Sequence, residues 1–354
     1  MNKRPVPIMT PCSMNEFPPA LVFLDRCFKK PQKNWFTTHY THIFQTTPQS
    51  TSNHWLYKEG KEILGLIGVY PFTMRIGKAR LKVAGIGSVS VDPDARGKGI
   101  MSLMLEDTIN RIRSGDFDLS WLGGDRFRYK NYGWDMGGKK VIFKISKKYL
   151  DLYHPQIKPV KSAKPQEKDI PHLMKMHNSF ATGVMRTPAI WKVHIARPNL
   201  LWRIVRKEKG GAYLVSYKDT PTSILEIRGE ATSVIALLKN YLIEHTLDSV
   251  VIAHPNTSDP VFGLLHESAV DFHVENCDQI QILNVDFTWN KIVPAIAGNK
   301  ISRSMLDSVA LKDRSLVLGR VFGFLDGIPG FPKRLMHLNQ IRPVDWWIPD
   351  TDKV

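Results

Sequence analysis

Cysteine is scarce in this chain. Cys12, Cys27 and Cys277 are odd in number and far apart in 354 residues, which excludes a disulfide framework and a cysteine-based metal site. They are read as reduced thiols. Long apolar runs are also lacking, so no segment is expected to span a bilayer. The basic start, Met1-Asn2-Lys3-Arg4-Pro5, has none of the apolar stretch that a secretory signal needs, and the expected location is the cytoplasm. Twelve histidines are present, yet the closest pairs, His39/His42 and His172/His177, miss the i, i+4 spacing that sets two rings over one metal. They are read as structural or surface histidines, and no metal is expected.

Acidic residues are outnumbered, 33 against 49 basic ones, for a formal net charge of +16 that favours anionic partners, nucleic acid among them. The basic residues are spread as pairs, Lys29-Lys30, Lys139-Lys140 and Lys147-Lys148, with no long basic run and no zinc-finger or aromatic RNA-binding signature. Attraction of a polyphosphate ligand is the less demanding account, which leaves nucleic acid the weaker candidate. The length fits two domains plus a small appendage, and an apolar content of 43% is enough for sizeable cores.

What the chain does have is the stretch Gly87-Ser88-Val89-Ser90-Val91-Asp92-Pro93-Asp94-Ala95-Arg96-Gly97-Lys98-Gly99-Ile100-Met101. A β-branched alternating run ends at Pro93, a Gly-rich turn follows and a helical pattern begins at once. That order places successive backbone N–H groups at a positive helix start and reads as a phosphate cradle. It is neither a P-loop, which needs four residues between its glycines and then Lys-Ser/Thr, nor a G-x-G-x-x-G dinucleotide fingerprint. Taken alone, a tight strand-to-helix turn without a ligand is the competing reading.

Upstream, two short helical patterns (Phe17 to Phe28, Trp35 to Phe44) precede strands at His54–Lys58, Ile63–Arg75 and about Leu81–Val91. Downstream, Ile100, Leu103, Met104, Ile109 and Ile112 mark the apolar side of a helix that stops at Ser114-Gly115, and Phe117–Leu122 is expected to return as a parallel strand. Trp134–Ile145 is expected to close the sheet as a hairpin. Pro155, Pro159 and Pro165 mark a linker over 154–166.

From Lys168 the order of elements repeats. Helical stretches around Ile170–Phe180 and Trp191–Ile195 lead to strands at Ala212–Tyr217 and Ser223–Arg228. A helix at Glu230–Glu244, a strand at Ser249–Ala253, a helix around Pro260–His266 and a strand at Ile280–Val285 follow. The turn corresponding to the cradle, Glu226-Ile227-Arg228-Gly229-Glu230-Ala231-Thr232, has one glycine and an added carboxylate, so this half is expected to be catalytically silent. Helical pieces near Trp289–Ala297 and Ser304–Phe324 precede a tail whose Trp346-Trp347, between prolines, is expected to dock.

The cradle, as R-x-x-G-x-(large) with Arg96, Gly99 and Met101, resembles the acetyl-CoA signature of the GNAT N-acetyltransferases. Tyr129-Lys130-Asn131-Tyr132-Gly133-Trp134 looks like that family's F-Y-x-x-x-G-(aromatic) ending. Two such units in tandem resemble the enhanced-intracellular-survival (Eis-like) type. The resemblance implies an α/β (α+β) fold of tandem GNAT domains, each a mixed central sheet flanked by helices: 1–153 catalytic, 154–166 linker, 167–287 degenerate, 288–354 a C-terminal helical segment and docking tail. It implies a pyrophosphate site at Arg96, Gly97, Lys98, Gly99, Ile100 and Met101, and pantetheine held by the backbone of Val89 and Val91. Tyr129 would protonate departing coenzyme A, for which a phenol protonated at neutral pH is suited. Members of this type carry a third, sterol-carrier-like domain and bring the terminal carboxylate to the site as base. Too few residues follow Val285 for such a domain, and Val354 is the candidate base, with a tail that only clamps the domains as the alternative. The expected function is acetyl-CoA-dependent N-acetylation of a primary amine on an unidentified small molecule or peptide. The alternatives are a catalytically silent acyl-CoA-binding regulatory module and a nucleic-acid binder. A homo-oligomer stays open.

Overall fold

The computed structural model describes residues 9–30, 34–207, 210–255, 259–297, 302–324, 332–338, 341, 344 and 346–353. Among them the strands form two mixed sheets. The first half supplies β1 (Thr10–Pro11), β2 (His54–Glu59), β3 (Glu62–Ile76), β4 (Ala79–Val91), β5 (Leu119–Leu122), β6 (Asp135–Met136) and β7 (Lys139–Ser146). The rest are β8 (Thr182–Val184), β9 (Leu200–Arg206), β10 (Gly211–Tyr217), β11 (Ser223–Gly229), β12 (Ser249–Pro255), β13 (Ala269–Asn276) and β14 (Gln279–Ile282). Helices α1 (Phe17–Cys27), α2 (Trp35–His39) and α3 (Pro48–Thr51) precede β2; α4 (Ile100–Ser114) joins β4 to β5; α5 (Arg126–Tyr129) follows β5. Then come α6 (Lys147–Tyr153), α7 (Ile170–Asn178), α8 (Pro188–Ala196), α9 (Ala231–Glu244), α10 (Pro260–Ser268) and α11 (Val285–Ile296).

The order of the first sheet is β1-β2-β3-β4-β5-β14-β6, with β8 paired to the far end of β3, and that of the second is β13-β7-β12-β11-β10-β9. The strand–helix–strand crossover through α4 is parallel, as expected, with Val83 opposite Leu119 and Ile86 opposite Leu122. The corresponding crossover through α9 pairs β11 with β12, also parallel. The two patterns match beyond this point as well. Outside β5 lie β14 and then β6; outside β12 lie β7 and then β13.

The hairpin expected over Trp134–Ile145 therefore does not form. Met136 pairs with Gln279 in the first sheet, and after Gly137-Gly138 the chain crosses to pair Phe143 with Ile252 in the second. The hairpin of the second half opens in the same way and returns β14 to lie antiparallel to β5. Each sheet thus receives its next-to-outermost strand from the other half. An alternating apolar run fits either sheet equally well, so the sequence pattern carries no trace of the exchange. Two further expectations are corrected. The helix read over Ser304–Phe324 is broken into α12 (Arg303–Asp307) and α13 (Arg314–Val321), joined through residues 308–310 and a 3₁₀ turn at Leu311–Asp313. The strand read as Ile280–Val285 ends at Ile282, because Asn284 caps α11 by accepting the Phe287 N–H.

Both faces of the first sheet are covered. α4 packs on Ile67, Ala84, Ile86 and Leu122 through Ile100, Met104, Leu105 and Ile109. On the other face Leu81, Val83, Leu119 and Trp121 meet the C-terminal segment through Trp289, Val317, Phe322 and Trp346. The tail docks as expected: Trp346 and Ile348 are buried, and the Trp346 ring stands edge-on to Phe322 at 5.8 Å. Gly138, at the point where the chain leaves the first sheet, has φ +70°, and a Cβ there would lie 2.3 Å from the Trp346 carbonyl. Truncating a buried tryptophan in such a contact costs about 3–5 kcal/mol. Trp346→Ala is expected to lower the unfolding free energy by that amount in urea titrations with an unchanged denaturant slope; a loss under about 1 kcal/mol would mean that the tail does not brace this core.

Candidate active site

The site begins where β4 and β5 part. Their pairing ends at Ile86 and Leu122, after which Gly123-Gly124 carries the chain away from β4. On the β3 side, Gly68 faces Gly87 and Leu66 faces Ser90, so β4 holds one residue more than β3 over this interval. That extra residue makes a bulge, and Ser88 adopts φ +54° within it. Its hydroxyl lies 2.9 Å from the Tyr70 hydroxyl of β3. From the bulge to Val91, one edge of β4 is released from β5.

Beyond β4 the chain makes the 3₁₀ turn Pro93–Ala95, fixed by Asp92, which accepts the Asp94 N–H and pairs with Arg26 of α1. Gly97 (φ +80°) and Gly99 (φ +77°) then turn the chain into α4, and neither has anything within 4 Å of where a Cβ would stand. No side chain caps the start of α4. Its first backbone N–H groups face outward with no acceptor from a capping side chain, which is the arrangement that takes an anion. Arg96 and Lys98 on the turn are exposed.

A cleft of about 570 Å³ runs along this edge. It brings together Val89, Val91, Arg96, Gly97, Gly99, Ile100 and Met101, seven of the residues selected from sequence, with Ser102 and Arg128. Lys98 lies on the same turn but not in the lining. Cys27 and Phe28, at the end of α1, close one side, and Cys27 Sγ lies 3.6 Å from the Val91 carbonyl oxygen. These two were not selected from sequence, because no local pattern connects α1 to β4. The open glycines, the uncapped helix and the basic turn fit a diphosphate, and the released β4 edge fits an extended amide-bearing arm.

Tyr129 ends α5 and lies in the core of the first sheet, 7% exposed, with its ring edge-on to Trp134 at 6.4 Å. It is not among the residues lining the cleft; its neighbour Arg128 is. Burial raises the phenol above its ordinary pKa, opposed in part by Arg128, so the hydroxyl keeps its proton at neutral pH. Val354 lies outside the described residues. The residues just before it are held firmly: Arg197 donates to the Thr351 carbonyl at 2.8 Å, and Asp352 accepts from Arg186 Nε at 2.8 Å.

The equivalent place in the second sheet is closed. Glu230 caps α9 by accepting the Thr232 and Ser233 N–H groups, both at 3.0 Å, together with their hydroxyls. A carboxylate of the chain itself thus occupies the anion position that α4 leaves open. These bonds hold the Glu230 carboxyl down at about 2 despite its partial burial. Among the described residues no group of histidine, cysteine and carboxylate side chains forms a metal site, and no helix is long and apolar enough to cross a membrane.

No curated protein matches the chain. Among solved structures, a GCN5-related N-acetyltransferase from Kribbella flavida superposes with a TM-score of 0.60 at 17% identity, over 78% of this chain and 72% of its own. A GCN5-related N-acetyltransferase from Anabaena variabilis does so at 0.58 and 18%, over 78% and 73%. Eis1 from Mycobacterium abscessus does so at 0.57 and 13%, over 80% and 75%. At these identities the likeness is one of fold. A family model described as an acetyltransferase (GNAT) domain matches residues 10–137, the span that holds the bulge, the cradle and Tyr129. Residues 10–137 are a GNAT acetyltransferase domain.

Proposed function

We propose that the protein transfers the acetyl group of acetyl-CoA to a primary amine of a small molecule or peptide, by direct attack in a ternary complex. The observation that carries this reading is the continuous path from the released edge of β4 at Val89 and Val91 to the uncapped start of α4. The coenzyme A diphosphate lies on the amides between Arg96 and Met101, with Arg96 and Lys98 beside it, and its pantetheine arm adds to β4 in the manner of a strand. The carbonyl of the thioester then sits near the bulge at Ser88.

The amine nitrogen forms the new C–N bond and the C–S bond breaks. The electron pair stays on sulfur, which takes the proton of the Tyr129 hydroxyl. Burial keeps the phenol protonated at neutral pH, so its proton is available when the thiolate charge develops. In this reading residues 1–153 are catalytic, 154–166 the linker and 167–287 a degenerate copy whose cradle Glu230 fills. Residues 288–354 brace the first sheet, and β7 and β14 are exchanged between the halves. The tandem arrangement and the likeness to Eis1 support the Eis-like type, and a cytoplasmic location follows from the need for acetyl-CoA.

Release of coenzyme A thiol from acetyl-CoA, measured across a panel of primary amines, tests the activity; thiol release that no amine accelerates would contradict it. Gly99→Val places a branched side chain at φ +77° and over the anion position. It is expected to weaken coenzyme A binding at least about tenfold by calorimetry, and unchanged affinity would remove the diphosphate from this turn. Tyr129→Phe is expected to lower kcat by about a hundredfold with coenzyme A affinity unchanged, and an unaltered kcat would exclude it as the acid.

A further inference from the structure

A second cavity, of about 370 Å³, is bounded by β3, the loop after α2, the loop from β8 into α8, and the tail. His42, Tyr70, Phe72, Met185, His194 and Asp352 contribute to its wall. Tyr70 and Phe72 point to the face of the sheet opposite α4, where they pack with α1, α2 and the C-terminal segment. The bulge connects the walls of the two: Tyr70, which lines the cavity, bonds the Ser88 hydroxyl, and the next residue, Val89, lines the cradle cleft.

Two imidazoles stand in this wall. The rings of His42 and His194 lie 4.9 Å apart between centroids. His194 is fully buried, and its Nε2 is 3.2 Å from Asp352 Oδ1. Its Nδ1 has no hydrogen-bond partner among the described residues, while His42 has the Lys353 backbone beside it as a partner for one ring nitrogen. Asp352 is not free to turn away, because Arg186 holds both its oxygens, from Nε at 2.8 Å and from Nη2 at 2.5 Å. A carboxylate fixed beside one imidazole nitrogen, with the other nitrogen unpartnered in the wall of a cavity, is the arrangement of a proton acceptor.

We propose that His194 Nδ1 takes the proton of the acceptor amine bound in this cavity, with Asp352 as the positioning residue that holds the ring and His42 as a second acceptor for an N–H of the same amine. The proposal rests on the acetyl-transfer reading. As the amine nitrogen forms its bond to the acetyl carbon, its proton passes to His194 Nδ1. The departing sulfur takes the Tyr129 proton, and water returns a proton from the imidazolium to the phenolate. The sum is amine plus thioester giving amide plus thiol.

Electrostatics around the pair agree with this role. Burial keeps His194 below its ordinary pKa; Asp352 opposes that, while Arg186 from the loop after β8 and Arg197 at the end of α8 reinforce it. Burial lowers His42 further, with His194 and Arg197 acting in the same direction. Both rings are neutral near pH 7 and free to accept. Asp352 then stabilises the imidazolium once formed.

The test uses the full chain and benzylamine as the acceptor probe. Steady-state rates from about pH 5 to about pH 9 are expected to show His194→Gln reduced at least about a hundredfold in kcat near neutrality, a deficit that shrinks toward low pH, where the imidazole of the unmodified chain becomes protonated and stops accepting. Asp352→Asn is expected to give a smaller deficit with the same pH dependence, and both variants to bind coenzyme A as the unmodified chain does. A deficit constant across pH, or none, would overturn the assignment. A second readout needs no turnover. Benzylamine added to the coenzyme A complex of the ¹⁵N-histidine-labelled protein is expected to shift the ring resonances of His194 and His42. If they shift while no amine is acetylated, the transfer reading fails and the cavity assignment stands. If they do not shift, the cavity assignment fails.

Discussion

The parting of β4 from β5 after Ile86 and Leu122 is the constraint from which the rest of the site follows. Paired strands satisfy each other's backbone groups, so a strand edge released inside a covered sheet has to find a partner or face a cleft. Here it faces a cleft, and the bulge at Ser88 sets the angle at which the edge leaves the sheet. The same strand runs on into a helix start that no side chain caps. The second half makes the comparison within one molecule: its strand–helix–strand crossover is also parallel, but Glu230 closes the helix start. Capacity for an external anion thus separates the two halves more clearly than topology does.

Exchange of β7 and β14 ties the two sheets together, and a buried charge network ties the tail to both. Arg186 donates to Glu226 of β11 at 2.7 Å and to Asp352 of the tail, and Thr351 donates to Glu226 at 2.9 Å. Desolvation of such groups opposes folding, and it is offset only where partners are close and well aligned. Two carboxylates around one guanidinium meet that condition: both are held well below the usual carboxylate range and Arg186 well above its own. The network therefore keeps its charges near neutral pH, and its Asp352 stands 3.2 Å from His194 Nε2.

Much of this was legible in the sequence, and for local reasons. Gly97 and Gly99 announced a turn with positive φ, and Ser114-Gly115 announced the end of α4, because both are signals carried by one or two residues. The cradle residues from Val89 to Met101 stood together in the chain and stand together in the cleft, Lys98 at its margin. The strand exchange was not legible, since β7 alternates in the same way whichever sheet receives it. Nor were Cys27, Phe28 and Arg128 as cleft residues, or the meeting of His42, His194 and Asp352, which lie far apart in sequence and are joined only by the docking of the tail. The histidines read as structural from their spacing include one, His42, whose ring stands in the wall of the second cavity.

Amide hydrogen exchange of the full chain with and without coenzyme A measures the released strand edge and the open helix start directly, residue by residue. The account predicts slowed exchange at Val89 and Val91 and at the first amides of α4, with no change at Thr232 and Ser233, whose N–H groups Glu230 already holds. Protection confined to the second half, or coenzyme A binding that leaves the amides from Val89 to Ser102 unaltered, would contradict it.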